Sequence, residues 1–248
     1  MDIIYIECEQ GSEEWHRARA GCITASKVKD IRELLKSGPN KGDFSKATHD
    51  LAFKLAIERI TGLPIDDDEF APWQGDRGHR LEPEARAEHE VVAGVVVQPM
   101  GFIRTHDGKF GVSVDGLIGD DEGSEYKAFV SPSKLRRIIC NDDWSDVIDQ
   151  VQFGLAITGR KRWHAGLYCP QLHVINRALT LRTFERDEDY IESMWIDLLR
   201  FDGQIETYRA QLEGRAITTP PWDPAPEEKR DQAPLKPWNR VDLSVPTF

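Results

Sequence analysis

The stretch VSVDGLIGDDEGSEYKAF holds the residues best suited to chemistry: Asp115, Glu125 and Lys127. A tight turn at GDDEG folds Asp115 on one strand back toward Glu125 on the next, while Glu125 and Lys127, two apart, share a strand face. The register is open by one or two residues, yet each register brings Asp115 close to that face. Two carboxylates and one ammonium therefore converge. Hydrolysis of a phosphodiester uses such groups. Oxygen ligands hold magnesium or manganese, which polarises the phosphate, and a lysine beside them orients or deprotonates the attacking water. On spacing alone, a surface hairpin with a salt bridge reads the same residues equally well, because Asp and Glu-x-Lys recur by chance in a charged chain.

The elements that would position these groups follow from pattern. GFIRTH, KFGVSVDGLIG and SEYKAFV are short β-rich runs separated by HDG and GDDEG, so they read as antiparallel hairpins at the centre of a sheet. An apolar strand over Ile3, Ile4, Tyr5 and Ile6 precedes them. TASKVKDIRELLKSG sets Val28, Ile31, Leu34 and Leu35 at helical spacing and predicts one amphipathic helix stopped by Gly38. A second helix runs from about Ser45 to Gly62. GDRGHRLEPEARAEHEVV predicts a third, entered after a glycine turn, with Glu82 near its start. SPSKLRRIIC offers a serine cap, a proline at the first helical position and a basic side of Lys134, Arg136 and Arg137. WSDVIDQVQFGLAITG predicts a helix ended by Gly159, and HAGLYC and LHVINRALTLRTF predict strands. Ile191, Met194, Trp195, Leu198, Leu199, Ile205 and Leu212 mark a long packing helix or two. Past Gly214 the chain is rich in proline and loses periodicity. Residues 1–214 therefore read as a single domain without repeats, and 215–248 as an extended tail.

Composition bounds the function classes. The chain has 248 residues, 43 acidic against 32 basic, a net charge of −11 and 40% hydrophobic residues. With a mean hydropathy of −0.51 it belongs with soluble globular proteins. No apolar run approaches the roughly 18 residues that span a bilayer. The start, MDIIYIECEQ, carries acid where an export signal carries base, so a cytoplasmic location is expected. Cys8, Cys22, Cys140 and Cys169 show no CxxC spacing, which argues against a zinc ribbon and fits reduced thiols; a scattered iron–sulphur site is the less favoured reading. Net acidity argues against nucleic-acid binding through overall charge, so any DNA contact must come from local basic clusters.

SVDGLIGDDEGSEYK matches the PD-(D/E)xK nuclease signature and resembles the version found in lambda exonuclease and its YqaJ-like viral recombinase relatives. Other blocks agree, in order. QGSEEWHRARAGCITASKV resembles the N-terminal block with its glutamine, Trp, Arg and ITAS turn, and RGHRLEPEAR resembles the helix bearing an acidic metal-site residue. VIDQVQFGLAITGRKRWHAGLYCP resembles the glutamine-bearing helix and the strand after it. The resemblance implies an α/β restriction-endonuclease-like core, a mixed central sheet flanked by helices with the active site at one end. It implies a magnesium-dependent 5′-to-3′ exonuclease that digests linear duplex DNA and leaves 3′ single strands for phage-type recombination. Carried over by position, Asp115 and Glu125 match the metal-binding carboxylates, Lys127 the catalytic lysine, Glu82 the upstream carboxylate and Tyr126 a backbone-carbonyl ligand. Arg19 and Ser26 match residues that hold the 5′-phosphate and nearby backbone, Ser113 the serine before the motif, and Gln150 the motif glutamine, with Gln152 two residues on. Two Mg2+ per site are implied, with Mn2+ as a substitute. Implied partners are duplex ends with a 5′-phosphate, two further copies in a trimeric ring and a single-strand annealing protein, in the cytoplasm of a phage- or prophage-bearing bacterium. Val114 departs from the usual proline before the aspartate, and Val147 from a tyrosine of some relatives.

Several of these residues have plainer readings. Trp15 reads as a core or wedge aromatic before a base-stacker. Arg19 and Glu82 by themselves are ordinary surface charges. The clusters Arg160, Lys161, Arg162 with Trp163, and Lys134, Arg136 and Arg137, read equally as solvated charge or as phosphate contacts. His16, His79, His89 and His164 lack ligand spacing, and Asp120, Asp121 and Glu122 read as turn residues. Two other functions stay open: a structure-specific or restriction-like endonuclease using the same cluster, and a non-catalytic DNA-end binder on a nuclease fold. The joint presence of Asp115, Glu125 and Lys127 argues against the latter.

Overall fold

The computed structural model describes residues 1–65, 72–128 and 131–215, with the backbone alone over 72–79. The tail expected from 215 onward therefore lies, past Arg215, outside the described residues. Two mixed four-stranded sheets carry the fold. The first has the order β1-β3-β4-β2, formed by Ile3–Ile6, Phe102–Thr105, Phe110–Val112 and Ile23–Thr24, with β2 parallel to β4 and the other pairs antiparallel. The second has the order β5-β6-β7-β8, formed by Gly116–Ile118, Glu122–Lys127, Arg162–Tyr168 and Leu179–Glu185, with β6 parallel to β7. The α/β class holds, but the single expected sheet is drawn as two. Residues 113–115 leave the β4 ladder before pairing with β6 begins at Gly116, and a bridge from Gln98 to Leu117 adds support beside that seam.

Helices pack against these sheets where apolar periodicity places them. α3 (Lys46–Thr61) is the clearest case: the Ser45 hydroxyl accepts from the Thr48 N–H, and Gly62 ends it in the left-handed conformation. α6 (Ile148–Thr158) is buried on almost every side, from Val151 through Ile157, and stops at left-handed Gly159. α7 (Glu188–Leu212) is one helix, with Met194, Leu198, Phe201 and Ile205 buried against the main core. Three boundaries and one cap differ from the sequence pattern. α2 is only Val28–Arg32, because Leu35 exchanges backbone hydrogen bonds with Gly42 and Asp43 instead of continuing the helix. α4 begins at Pro72 and runs to Ala93, so Gly75 and Gly78, expected in a turn before the helix, lie inside it. Residues Pro170–Ile175 form a 3-10 turn ended by left-handed Asn176, so the strand expected from Leu172 starts at Leu179. Ser131 precedes α5 (Pro132–Asn141) without a side-chain cap bond.

Trp163 shows how tightly the second sheet meets α6. Its indole is 1% exposed and lies across Gly123 of β6 and Gly154 of α6, where an added Cβ would stand 2.5 and 2.8 Å from ring atoms. A rigid ring in a close-packed core has nowhere to retreat. Gly123→Ala is therefore expected to destabilise the protein by about 1–3 kcal/mol and to lower its unfolding temperature by several degrees. An unchanged melting curve would refute this packing.

Candidate active site

The seam between the sheets carries the candidate chemistry. Asp115 immediately precedes β5, and since Gly116 pairs with Ser124, counting one residue back sets Asp115 opposite Glu125. The register left open by the sequence is thereby settled. Asp115 Oδ2 accepts from the Tyr126 backbone N–H at 2.6 Å, and Glu125 Oε1 accepts from Lys127 Nζ at 2.6 Å. Both carboxylates are buried, at 9% and 5% exposure. Burial raises the Asp115 carboxyl well above the ordinary carboxylate range, and the charges of Glu125 and Glu82 raise it further, against the opposing pull of Lys127 and the Tyr126 N–H. Burial opposes the charge on Lys127 as well, but Glu125 and Asp115 outweigh it and hold the ammonium above its usual range. Glu82 comes from α4, pairs with Arg86 at 2.9 Å one turn on, and reaches Asp115 through its field.

Among the described residues no three His, Cys, Asp or Glu side chains form a closed metal cage as they stand. Asp115 and Glu125 stand opposite each other, and Glu82 lies within electrostatic reach of Asp115, so that the charges of these oxygen donors disfavour one another. A hard divalent cation is the group that such a set fits, because it offsets the repulsion and takes oxygen ligands.

A second cluster adjoins this one. Arg19, the last residue of α1 (Glu13–Arg19), donates from Nη1 to Ser113 Oγ at 2.6 Å, and Trp15 Nε1 donates to the same hydroxyl at 3.1 Å. The Arg19 guanidinium lies 4.1 Å from the Trp15 ring centroid. Burial brings Arg19 down to about 10, while Cys22, Glu58 and Glu125 act against that shift, so this arginine feels the charge of the carboxylate cluster. A half-buried guanidinium and a hydroxyl held on an aromatic face suit a phosphate group. Gln10 staples the approach, donating from Nε2 to the carbonyls of Met100 and Val114.

The other expected residues distribute unevenly. Ser26 is exposed on the 3-10 turn Ala25–Lys27, its hydroxyl 3.5 Å from that of Thr24. It and Ser113 each lie two residues beyond the paired positions Thr24 and Gly111. Gln150 is half-buried on α6. Gln152 is structural: it donates to the Glu185 carbonyl and accepts from the Asp187 N–H, tying α6 to the end of β8. Several members of the basic clusters are partnered within the protein, although only Arg160 is buried. Arg160 is buried and donates to the carbonyls of Gly119 and Glu122, while Lys161 pairs with Asp121 and Arg162 with Glu122. Arg137 pairs with Asp143 and Asp146. The turn acids Asp121 and Glu122 supply the counter-charge for Lys161 and Arg162, while Lys134 and Arg136 are exposed on α5. Trp163 is core.

Two residues do more than the sequence pattern assigns them. Trp15 is both core and platform, half-buried against the cluster of Ala18, Cys22 and Phe102 while its N–H and face serve Ser113 and Arg19. His89 of α4 is buried and bonded through Nδ1 to the Tyr126 hydroxyl at 2.8 Å, and burial pushes its imidazole down to about 4. For Trp15, the four-residue spacing to Arg19 within one helix was the available signal. For His89, the signal was its seven-residue spacing from Glu82.

Residues 14–161 match the sequence pattern of the YqaJ-like viral recombinase domain. Similar solved structures include an alkaline exonuclease, LHK-Exo, from Laribacter hongkongensis, at 27% identity over 82% of this chain and 97% of that one, with a TM-score of 0.67. LHK-Exo in complex with dAMP matches at 28% identity with the same coverage and TM-score. A phage-related exonuclease from Haemophilus somnus 129PT shares the fold at 13% identity and a TM-score of 0.51, over 78% of this chain and 95% of that one. No curated protein matches the sequence.

The repulsion within the carboxylate set has a measurable sign. A carboxyl whose pKa is raised on folding binds more protons in the folded state than in the unfolded one, so stability falls as pH rises from the ordinary carboxylate range through the folded value. Asp115→Asn removes the charge and keeps an oxygen acceptor for the Tyr126 N–H. In chelator at pH 7 this variant is expected to have a higher unfolding temperature than the parent, with the gap narrowing toward pH 4. Equal unfolding temperatures at both pH values would overturn this account of the cluster.

Proposed function

The chain belongs to the YqaJ-like viral recombinase domain family, and on that premise we propose that this DNA nuclease is a magnesium-dependent exonuclease. It digests linear duplex DNA from a 5′ end and leaves 3′ single strands for recombination. The observation that carries this reading is the buried Asp115–Glu125–Lys127 group lying within electrostatic reach of Glu82 on one side and Arg19 on the other. The similarity to the alkaline exonuclease LHK-Exo supports it.

In this reading Glu82, Asp115, Glu125 and the Tyr126 carbonyl hold two Mg2+, with Mn2+ as a substitute. Bound there, the cations would supply Lewis acidity toward the phosphate and acidify a water. Lys127, kept protonated by its two carboxylate neighbours, donates hydrogen bonds that orient the attacking water and steady charge developing on the phosphate. Arg19 and Ser113 capture the terminal 5′-phosphate, with Trp15 fixing the plane of the guanidinium fork. Ser26 and Gln150 complete the proposed set, the first as a hydroxyl for the neighbouring backbone phosphate and the second on the helix behind the carboxylates. A chain of net charge −11 in which Arg137, Lys161 and Arg162 pair with its own carboxylates gains little from nonspecific attraction to DNA. A ring of three copies around the duplex would replace that attraction with topology, and a single-strand annealing protein would receive the 3′ strand. The setting is the cytoplasm of a bacterium carrying the phage or prophage. Among the described residues no helix is long and apolar enough to cross a membrane.

Digestion of a linear duplex labelled at the 5′ or the 3′ end, with Mg2+ and beside a closed circle, tests the activity and its direction together. The expected result is early release of 5′ label with the circle intact; cutting of the circle would establish the endonuclease instead. Lys127→Ala is expected to lower cleavage by about 100-fold or more while duplex binding persists, and undiminished cleavage would refute its role. Arg19→Ala is expected to lose activity selectively on 5′-phosphorylated ends. An equal loss on 5′-hydroxyl ends would count against the phosphate pocket.

A further inference from the structure

Tyr126 lies between the groups that the proposed reaction depends on, yet its side chain points away from them. Successive residues of β6 face opposite sides, so Glu125 and Lys127 turn toward the carboxylate cluster while the Tyr126 ring turns toward α4. Its backbone nonetheless serves the cluster: the N–H holds Asp115 Oδ2 at 2.6 Å, and the carbonyl belongs to the proposed donor set. The ring is fixed on several sides. Beneath it is Gly166 of β7, its ladder partner, where an added Cβ would stand 2.8 Å from Tyr126 Cδ1. Beside it are Leu81 and Ala85 of α4 together with Tyr168 and Ala178. At its tip the hydroxyl meets His89 Nδ1 at 2.8 Å.

His89 follows Glu82 by seven residues on α4, so the two lie on one stripe two turns apart, with Ala85 between them. The same helix therefore delivers Glu82 to the carboxylates and His89 to the strand that carries Glu125. Stability does not account for this polar pair. His89 is fully buried and its Nε2 has no hydrogen-bond partner among the described residues. Replacing both partners of such a bond by apolar groups of similar shape is close to neutral for stability, whereas a directional bond fixes a distance that apolar packing leaves looser. We infer that His89, acting through the Tyr126 hydroxyl, is a positioning residue. It sets the spacing between Glu82 on α4 and the Asp115–Glu125 pair on the β5–β6 hairpin, and through it the affinity of that oxygen set for a divalent cation. The inference rests on the metal-dependent reading above.

The test reads metal binding directly, by calorimetric titration of Mn2+ alone into the metal-free full chain without DNA. Tyr126→Phe deletes one hydroxyl and keeps the backbone N–H and carbonyl. It is expected to fold with an unfolding temperature within a few degrees of the parent and to bind Mn2+ about 10-fold more weakly or worse, the usual effect of losing a group that orients a metal ligand. His89→Phe is expected to do the same, and the double variant to be no weaker than either single one, because both remove one bond. Tyr208→Phe is the matched control. It deletes the same kind of hydroxyl–imidazole bond, to His49 Nδ1 at 3.1 Å, where α7 meets α3, and is expected to leave Mn2+ affinity unchanged. Unaltered affinity in Tyr126→Phe would overturn the inference alone, and so would additive losses in the double variant. A parent chain that binds no Mn2+ would overturn the metal-dependent reading and this inference with it.

Discussion

Asp115, Glu125 and Glu82 are held within reach of one another's charge in a largely buried setting, and much of the surrounding structure serves to make that arrangement tolerable. Buried carboxylates that repel are unstable neighbours unless the backbone leaves them no alternative. Here the β5–β6 hairpin sets Asp115 opposite Glu125, the Tyr126 N–H fixes one oxygen of Asp115, and Lys127 neutralises Glu125 from the same strand face. The parallel pairing of β6 with β7 then locks that strand into the second sheet, and Trp163 wedged between Gly123 and Gly154 ties the sheet to α6. Rigidity of this kind holds a strained electrostatic arrangement in one geometry, which a site that must place a phosphate and a water demands.

The distribution of charge follows the same logic outside the site. Several arginines are spent on the protein itself: Arg160 on two carbonyls of the β5–β6 turn, Arg137 on Asp143 and Asp146, Arg59 on Asp202 and Glu206. Arg19 contrasts with these arginines. Its recorded hydrogen bond is to a neutral hydroxyl and its flat face rests on an indole, so the charge is oriented without being cancelled by a carboxylate in contact. A guanidinium left in that state beside the carboxylate cluster is suited to an anionic group of a ligand.

The break between the two sheets is the architectural counterpart of the site. Ser113, Val114 and Asp115 belong to neither ladder, and this short crossing places a hydroxyl toward Arg19 and a carboxylate toward Glu125 within three residues. Gln10 holds the crossing through the Val114 carbonyl, which gives the N-terminal block a structural purpose besides carrying Trp15 and Arg19.

Local signals settled what depends on neighbours in the chain. Serine and glycine at the ends of α3, glycine after α6, the turn residues between β5 and β6, and the shared face of Glu125 and Lys127 were all legible, because caps, turns and strand alternation are decided within a few residues. Four ordered blocks of residue types also identified the family before any geometry was known. The tertiary structure alone decided which distant charges meet. It brought Glu82 to Asp115 across 33 positions and Arg19 to Ser113 across 94, paired the Arg160–Arg162 cluster with the opposite turn, stopped α2 at Arg32 despite a continuing apolar pattern, and joined His89 to Tyr126. The physical reason is that a side chain's charge state, partner and burial are set by groups far away in sequence, which only the packed fold brings together.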